Sequence, residues 1–356
     1  MKKVWVLLLV LISGLLLTSC GEADLKILLP TAYLEEELVK QFEKENKVKV
    51  KTISFASNEA AISRLKRETF DLMIPSDYAI EQMIEEDLLL PIEWDKIDLD
   101  RDTGYATPLM SIIRGYEEAE KPVPLLDYAV PYFWGSLGII YNAQKEGLAE
   151  LLEEEGWGAF LDSSLKKVVY DSSRDGFALA LKYLGYSVNS NNETELQAAE
   201  ALLNQIKDSG NVLFLTDQIT DDMPDLKHDI ALTYNGDAVY VRTQQPNVGF
   251  HTPKQGTNVF VDALVIPKKS RNVELAYKFI NFISEHDNAV VNAETVCYVS
   301  AIKTVYEYMI TDETSAFYDH RDIYMVEYNE EKDELFRYIP SVKRFMDDAW
   351  ARVRTR

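Results

Sequence analysis

The stretch LKILLPTAYLEEELVKQFEKENKVKVKTISFASNEAAISRLKRETFDLMIP, residues 25–75, decides the fold. Its apolar segments at 25–30, 48–55 and 70–75 have the length and composition of buried strands. The segments between them place apolar residues at helical spacing. Strands and helices that alternate in this way predict an α/β fold, with a mostly parallel sheet covered by helices.

Three loops follow the carboxyl ends of these strands, which is where parallel sheets bind their ligands. The loops are Pro30–Tyr33, Ala56–Glu59 and Pro75–Tyr78, and two of the three end in a tyrosine. Surface packing explains a single loop tyrosine. Two tyrosines at matching strand ends favour a shared pocket.

A second unit of the same kind follows the segment AVPYFWGSLGIIYN, residues 129–142. That segment is apolar and aromatic, and it is interpreted as a strand pair or crossover that leaves the first sheet. The later strands are predicted at 166–171, 229–234 and 257–267, and the later helices at 176–184, 194–209 and 272–285. Because strands rather than a polar linker join the two units, the sequence predicts two lobes with a hinge.

The first 19 residues have the sequence pattern of a secretory signal peptide. Lys2 and Lys3 precede an apolar run at 4–17 that is short for a membrane span, and small residues follow it. The ending Leu-Thr-Ser-Cys resembles a bacterial lipobox, which implies that Cys20 is lipidated and tethers the mature protein to a membrane. The alternative is an ordinary signal peptide in which Cys20 is incidental.

Composition excludes several functions. The chain carries 59 acidic and 37 basic residues, a net charge of −22, which argues against nucleic acid or anionic lipid surfaces as partners. If Cys20 is lipidated, Cys297 is left without a disulfide partner. The four histidines are scattered without zinc-binding spacing, so neither a metal nor another cofactor is expected.

Asp262 lies in the middle of an apolar run, residues 259–266. An ionised carboxylate taken out of water costs several kcal/mol, on the order of a folding free energy, unless it is paired. Its partner could be a buried serine, a backbone amide or a cationic ligand.

Taken in order, several segments resemble the substrate-binding proteins of spermidine/putrescine ABC transporters: SNE, FDLMIPSDYAIEQM, VPYFWGSLGIIYN, ALTYNGDAVYV and NVFVDALVIPKKSRNVELAYKFINFI. The resemblance covers about Leu25 to Tyr298. It implies the type II periplasmic-binding-protein fold, in which each of two lobes is a mostly parallel sheet flanked by helices and the ligand lies in the cleft. Lobe 1 is expected at 20–134 and 262–302, and lobe 2 at 135–261 and 303–356.

The resemblance further implies a monomeric, extracytoplasmic binding protein without enzymatic activity, which delivers putrescine, spermidine or both to an ABC permease. Ammonium groups bind carboxylates, and methylene runs pack on aromatic walls. Carried over position by position, the family pocket falls on Thr31, Tyr33, Ser76, Tyr78, Ser172, Asp175, Tyr234, Phe260, Asp262 and Tyr298.

The chain departs from the family pattern at several of these positions. Ala32 stands where the family has a carboxylate in the first loop, and Ser172 replaces one of two acids in the second lobe. Tyr234 and Phe260 replace tryptophans. Fewer carboxylates favour the shorter diamine or a shifted pose of the ligand.

Asp77 and Asp237 are the nearest candidates for the missing charge, although neither is a family position. The polar contact that the family makes from its C-terminal segment cannot be placed near Glu334–Arg337.

Other interpretations stay open at this point. Asp175 could serve only the N-terminus of a helix, where the dipole favours an acid, and the aromatic residues could belong to the core. The same fold could bind thiamine or ferric ion, although ferric-binding relatives tend to use adjacent tyrosines, which this chain lacks. A surface lipoprotein hydrolase would need a Ser-His-acid or metal constellation, and no GxSxG motif is present.

Overall fold

The computed structural model describes residues 23–355. The signal peptide expected at 1–19 and the lipidation site expected at Cys20 lie outside the described residues. Within 23–355, no helix is long and apolar enough to cross a membrane.

A ten-stranded sheet is the framework of this part of the chain. The strands are β1 (Leu25–Pro30), β2 (Val50–Phe55), β3 (Leu72–Met73), β4 (Ala129–Asn142), β5 (Lys167–Tyr170), β6 (Val212–Leu215), β7 (Ile230–Tyr234), β8 (Val248–His251), β9 (Val259–Val265) and β10 (Val299–Ser300). Their order is β2-β1-β3-β9-β4-β7-β5-β6, and β8 and β10 also pair with β4.

Helices cover the sheet. They are α1 (Glu36–Asn46), α2 (Asn58–Leu65), α3 (Asp77–Glu85), α4 (Thr107–Glu117), α5 (Leu125–Tyr128), α6 (Leu148–Glu155), α7 (Ser173–Tyr183), α8 (Glu193–Asp208), α9 (Gln218–Asp222), α10 (Asn235–Gln244), α11 (Val273–Ser284), α12 (His286–Val296), α13 (Lys303–Thr311), α14 (Arg321–Tyr324) and α15 (Pro340–Thr355). Short 3-10 turns occur at Trp94–Lys96, Gly156–Leu161, Met223–Asp225 and Tyr318–His320.

Strand β4 belongs to both halves of the sheet. Its first part, from Ala129 to Ser136, pairs antiparallel with β9. Its second part, from Leu137 to Asn142, pairs antiparallel with β7 and β8. The segment 129–142, interpreted from the sequence as a strand pair or crossover, is therefore one continuous strand that crosses from one half to the other.

The parallel pairs lie away from this crossing. β1 pairs parallel with β2 and β3, and β5 pairs parallel with β6 and β7. β9 runs antiparallel to both of its neighbours, β3 and β4. The expectation of mostly parallel sheets thus describes three strands in each half, whereas the strands that join the halves are antiparallel because the chain returns along them.

Two apolar cores pack against the sheet. The first extends across the crossing, from Leu28 of β1 and Trp134 of β4 to Ala231 of β7, and the second contains Leu137 of β4 and Trp350 of α15. Residues 303–324, expected in lobe 2, contribute side chains such as Tyr324 to the first core. Trp134 is fully buried and packs at the crossing.

Local capping explains where two of the helices begin. The Ser57 hydroxyl accepts a hydrogen bond from Ala60 N at 3.2 Å and caps α2. Asn192 caps α8, because its side-chain oxygen accepts a hydrogen bond from Thr194 N at 2.9 Å.

Candidate functional site

Asp262 meets Tyr33 at the centre of the site. Tyr33 follows the end of β1, and its hydroxyl donates a hydrogen bond to Asp262 Oδ2 in the middle of β9. Both side chains are buried, and Asp262 is only 6% exposed. Ser76, just before α3, lies opposite Asp262 in an isolated β-bridge. Within the protein, the partners of the buried carboxyl group are therefore neutral hydroxyl groups, those of Tyr33 and Ser76.

Two more aspartates are held in the same manner. The Tyr234 hydroxyl donates to Asp175 Oδ1 at 3.0 Å, and the Tyr298 hydroxyl donates to Asp237 Oδ1 at 3.0 Å. Asp237 also accepts from Thr233 Oγ1 at 2.6 Å. Together with the first contact they form three tyrosine–aspartate pairs: Tyr33–Asp262, Tyr234–Asp175 and Tyr298–Asp237.

The rings of these tyrosines form one continuous row. Tyr33 lies 5.5 Å from Tyr298, Tyr298 lies 5.9 Å from Phe260, and Phe260 lies 5.3 Å from Tyr234, as measured between ring centroids. Tyr170 extends the row at 5.6 Å from Tyr234. All four contacts are edge-to-face, the geometry that aromatic quadrupoles favour. We call these five residues the aromatic row.

Burial shapes the electrostatics of the three pairs. It raises the pKa of Asp262 to about 6, although hydrogen bonds from Ser76 and Tyr33 oppose the shift. Burial likewise raises the pKa values of Asp175 and Asp237 above the ordinary range of an aspartate. A hydroxyl stabilises a carboxylate less than a cation does, so a cationic ligand would favour the ionised form of all three groups.

A rim of polar contacts lies beside the aromatic row. The Asn58 side-chain amide donates to Ser76 Oγ and to the Tyr78 hydroxyl, both at 3.1 Å. The Arg174 guanidinium lies 4.0 Å from the centre of the Tyr78 ring and 3.6 Å from Glu59 Oε1. Since Tyr78 belongs to α3 and Arg174 to α7, this contact joins the two halves of the molecule.

Sequence reasoning missed Asn58 and Arg174 as site residues. Asn58 lies in a loop that the sequence had marked, Ala56–Glu59, and its amide was the available signal. Arg174 precedes Asp175, and its position against a ring from another element leaves no local signal.

Two of the candidate residues, Asp77 and Thr31, lie outside the three tyrosine–aspartate pairs. Asp77 is fully buried, and its oxygens accept from Val261 N at 2.9 Å and Tyr78 N at 2.6 Å. It therefore fixes β9 against α3, and burial raises its pKa to about 8. Thr31 is exposed, next to Ala32, whose φ of 54° turns the chain after β1.

Ser172 and the C-terminal segment are the remaining positions that the sequence raised for the site. Ser172 precedes α7, and its hydrogen bond to Asp175 lowers the pKa of that carboxyl group against the larger effect of burial. The Phe336 ring lies 6.3 Å from the Tyr78 ring. Glu334 accepts from Ser187 Oγ at 2.6 Å, and Arg337 pairs with Glu81 at 3.0 Å, so both charges are engaged away from the aromatic row.

The fold and this site define a class of protein: an α/β binding protein in which a row of aromatic rings holds three buried carboxyl groups. Residues 37–318 match the family described as bacterial extracellular solute-binding protein. The chain belongs to that family.

Similar proteins of known structure share the architecture. The TpPotD lipoprotein of Treponema pallidum has a TM-score of 0.77 at 26% identity, with 93% of this chain and 99% of that chain covered. The spermidine/putrescine ABC transporter substrate-binding protein PotD from Streptococcus pneumoniae has a TM-score of 0.70 at 26% identity, with 93% and 98% covered. The type II periplasmic-binding-protein fold predicted from the sequence is confirmed.

A curated relative agrees with this placement. The spermidine/putrescine-binding periplasmic protein of Salmonella typhimurium is 30% identical over 273 residues, which cover 75% of this chain and 74% of that protein. The chain is accordingly an extracytoplasmic solute-binding protein of the ABC-transporter type.

Proposed function

We propose that this protein captures a polyamine, putrescine or spermidine, in the cleft along the aromatic row and delivers it to an ABC permease. One observation carries the proposal: three buried aspartates, each held by a tyrosine hydroxyl, lie along a single row of aromatic rings. The relatives named for spermidine and putrescine support the same ligand class.

The row matches the chemistry of a polyamine. Such a ligand carries ammonium groups separated by methylene runs. Each ammonium can form charge-assisted hydrogen bonds with a carboxylate, which are stronger than neutral ones. The methylenes pack on the rings, and a desolvated cation over an aromatic face gains about 0.5–2 kcal/mol.

Asp237 bears on the length of the ligand. Ala32 and Ser172 remove two family carboxylates, which by itself favours the diamine. The contact between Asp237 and Tyr298 supplies a carboxyl group that the family pattern does not include. Because three aspartates lie along the row, the number of carboxyl groups gives no preference for putrescine over spermidine, and both belong to the proposal.

The proposed ligand is tested by thermal unfolding with putrescine, spermidine, thiamine and a ferric salt. A ligand at about 100 times its dissociation constant stabilises the protein by about 2.7 kcal/mol. We expect stabilisation by one or both polyamines. Stabilisation by thiamine or ferric ion alone would reject the polyamine and leave only the fold-level assignment.

The proposal also places the monomeric protein on a membrane through a lipid on Cys20. We expect Cys20→Ser to release the protein into the soluble fraction after the signal peptide is cleaved, because the lipid is the anchor. A processed variant that still fractionates fully with membranes contradicts this. The mass of the mature N-terminal peptide shows independently whether Cys20 carries a lipid.

A further inference from the structure

One end of the first half of the molecule has a charge opposite to that of the whole chain. Three segments lie there: 44–51 before and into β2, 66–69 before β3, and 268–278 after β9. They contain ten lysines and arginines but only three glutamates, in a chain with 59 acidic and 37 basic residues. We call these three segments the basal surface.

The basic side chains of the basal surface face solvent. All ten are exposed. Two of them pair with acids from a neighbouring turn, Lys66 with Glu86 at 2.6 Å and Lys268 with Asp87. The ten basic residues still outnumber the acids when Glu86, Asp87, Asp24 and Asp71 are counted with the three glutamates.

Hydrogen bonds make the three segments one surface around the start of the described chain. Asp24 N donates to Lys49 O at 2.8 Å, and the Asn272 side chain donates to Asp24 O at 2.5 Å. Lys269 Nζ donates to Lys66 O at 3.2 Å. A cavity of about 190 Å³ opens among them, lined by Ala23, Asp24, Lys26, Thr69, Asp71, Arg271 and Asn272.

This surface is close to the proposed lipid. Three residue steps separate Cys20 from Ala23, and an extended chain spans at most about 3.6 Å per residue. Ala23 therefore lies within about 11 Å of the lipid-bearing residue. A tether of that length brings the basal surface to the headgroups of the membrane that holds the lipid.

We propose that the basal surface binds the anionic phospholipid headgroups of that membrane. The inference rests on the proposed lipid attachment at Cys20. Basic side chains near an anionic membrane surface add an electrostatic attraction to the attachment that the lipid provides. Acidic residues elsewhere on the protein act little here, since charges are screened beyond about 8 Å at physiological salt.

The net charge of the whole chain predicts that the protein avoids anionic lipid surfaces, and the proposal says the opposite for the basal surface. A net charge of −22 argues against anionic lipid surfaces only if the charge is spread evenly, and here it is not. The aromatic row lies at the carboxyl end of β1, whereas the basal surface lies where β1 begins. Binding at the base would thus point the cleft away from the lipid surface.

The test uses the mature lipidated protein in nanodiscs of phosphatidylglycerol or phosphatidylcholine, with amine-reactive footprinting of lysines. We expect Lys44 and Lys278 to react at least about threefold more slowly on the anionic discs, with the difference lost in high salt, since screening removes it. Lysines far from the base, such as Lys166 and Lys254, should react equally on both.

Charge-reversal variants provide the matched comparison. A variant with four charge reversals on the basal surface should abolish the protection of Lys44 and Lys278. The four substitutions are Lys49→Glu, Lys51→Glu, Lys269→Glu and Arg271→Glu. Lys166→Glu, Lys254→Glu, Lys332→Glu and Arg344→Glu change the net charge equally on other exposed positions and should preserve it. Calorimetric titration with putrescine or spermidine checks that both variants are folded.

Equal labelling on the two kinds of disc, with the lipid present, overturns the headgroup proposal alone. A mature protein without lipid on Cys20 overturns the anchor and this proposal together. Neither result affects polyamine binding, which the titration reads separately.

Discussion

Asp262 is a carboxyl group whose best partner is absent from the protein itself. Its pKa of about 6 means that burial costs the ionised form more than its hydrogen bonds return. Tyr33 offers a neutral donor, and Asp77 adds little charge near neutral pH because burial raises its pKa to about 8. This balance is what the proposed binding of a cation at Asp262 requires.

Replacing Asp262 separates ligand binding from stability. Asp262→Asn keeps the shape and removes the charge. Loss of one partner of a buried charge pair costs about 2–5 kcal/mol, so polyamine affinity should fall by about tens-fold to thousands-fold. The ligand-free variant should unfold at the same temperature or higher, because the desolvated charge is gone.

Asp77→Asn is the matched control for this substitution. It should unfold earlier, because an amide side chain accepts only one of the two backbone hydrogen bonds, and it should bind polyamine nearly as well as the native protein. Calorimetric titration beside melting curves reads both properties. An Asp262→Asn protein that melts early yet binds normally contradicts the assignment.

The pH dependence of binding follows from the same pKa. Polyamine affinity should decrease as the pH falls below about 6, since the raised pKa leaves Asp262 protonated there. Titrations between pH 5 and 8 in two buffers of different ionisation enthalpy should show protons released on binding. Affinity that is flat over this range, with no proton release, contradicts the model of a carboxylate–ammonium contact.

Stability without ligand should move in the opposite direction. A folded-state pKa above the unfolded value of 3.8 gives stability that is fully present below pH 4 and is lost as the pH rises through about 6. The contribution of Asp262 is at most about 3 kcal/mol. The difference in unfolding free energy between Asp262→Asn and the native protein should therefore grow from pH 4 to pH 7.

At the scale of elements, helix α3 is fastened to the C-terminal segment by a buried ion pair. Glu81 accepts from Arg337 Nε at 3.1 Å and Nη2 at 3.0 Å, from the Tyr116 hydroxyl at 3.1 Å and from Tyr338 N at 2.7 Å. Burial raises the pKa of Glu81, but these bonds outweigh it and the net shift is downward.

Removing the cation of this pair should destabilise the fold. Arg337→Met leaves Glu81 with the exposed Lys121, 3.3 Å away, as its remaining counter-charge, so the loss should be smaller than the about 3–5 kcal/mol typical of an unpaired buried charge. Urea unfolding measures the loss. Arg344→Met removes an exposed cation from α15 and should change stability by less than about 0.5 kcal/mol. Equal midpoints for the two variants would mean that Arg337 does not fasten α3.

The sequence anticipates elements with a local signal and misses those that depend on distant partners. The strand predicted at 25–30 and the helix at 272–285 are found at Leu25–Pro30 and Val273–Ser284, because their apolar periodicity is local. β8 and β10 were not predicted, since each is short and takes its shape from pairing with β4.

The same distinction holds for the site. Asp262 stands out because a charge interrupts an apolar run, which is visible in one window of sequence. Its hydroxyl partner, Tyr33, is 229 residues away, and no local pattern links the two. The role of Asp237 becomes visible only when Tyr298 lies beside it.

At the scale of the whole molecule, the Arg174–Tyr78 contact should stabilise the closed arrangement of the proposed lobes. Both lobes carry part of the aromatic row, so ligand binding should draw them together about hinges near residues 135 and 261. Small-angle scattering should show a smaller radius of gyration with saturating polyamine. An unchanged radius with a ligand that calorimetry shows to be bound contradicts closure.

Arg174→Met tests the contribution of that contact. A cation over an aromatic face is worth about 0.5–2 kcal/mol, so affinity should fall by about two- to thirty-fold and the ligand-free radius should increase. Arg344→Met again serves as the control, since it removes an exposed cation of α15. A variant that closes and binds as the native protein does would assign Arg174 to packing.

The continuity of β4 bears on how such a protein can change over generations. Since one strand completes the sheets of both halves, neither half is a portable module that gene fusion could lift out intact. A recombination point between residues 129 and 142 would divide β4. One half of the sheet would then pair with a piece of β4 that comes from the other parent. New ligands should therefore arise by substitutions along the aromatic row rather than by exchange of whole lobes.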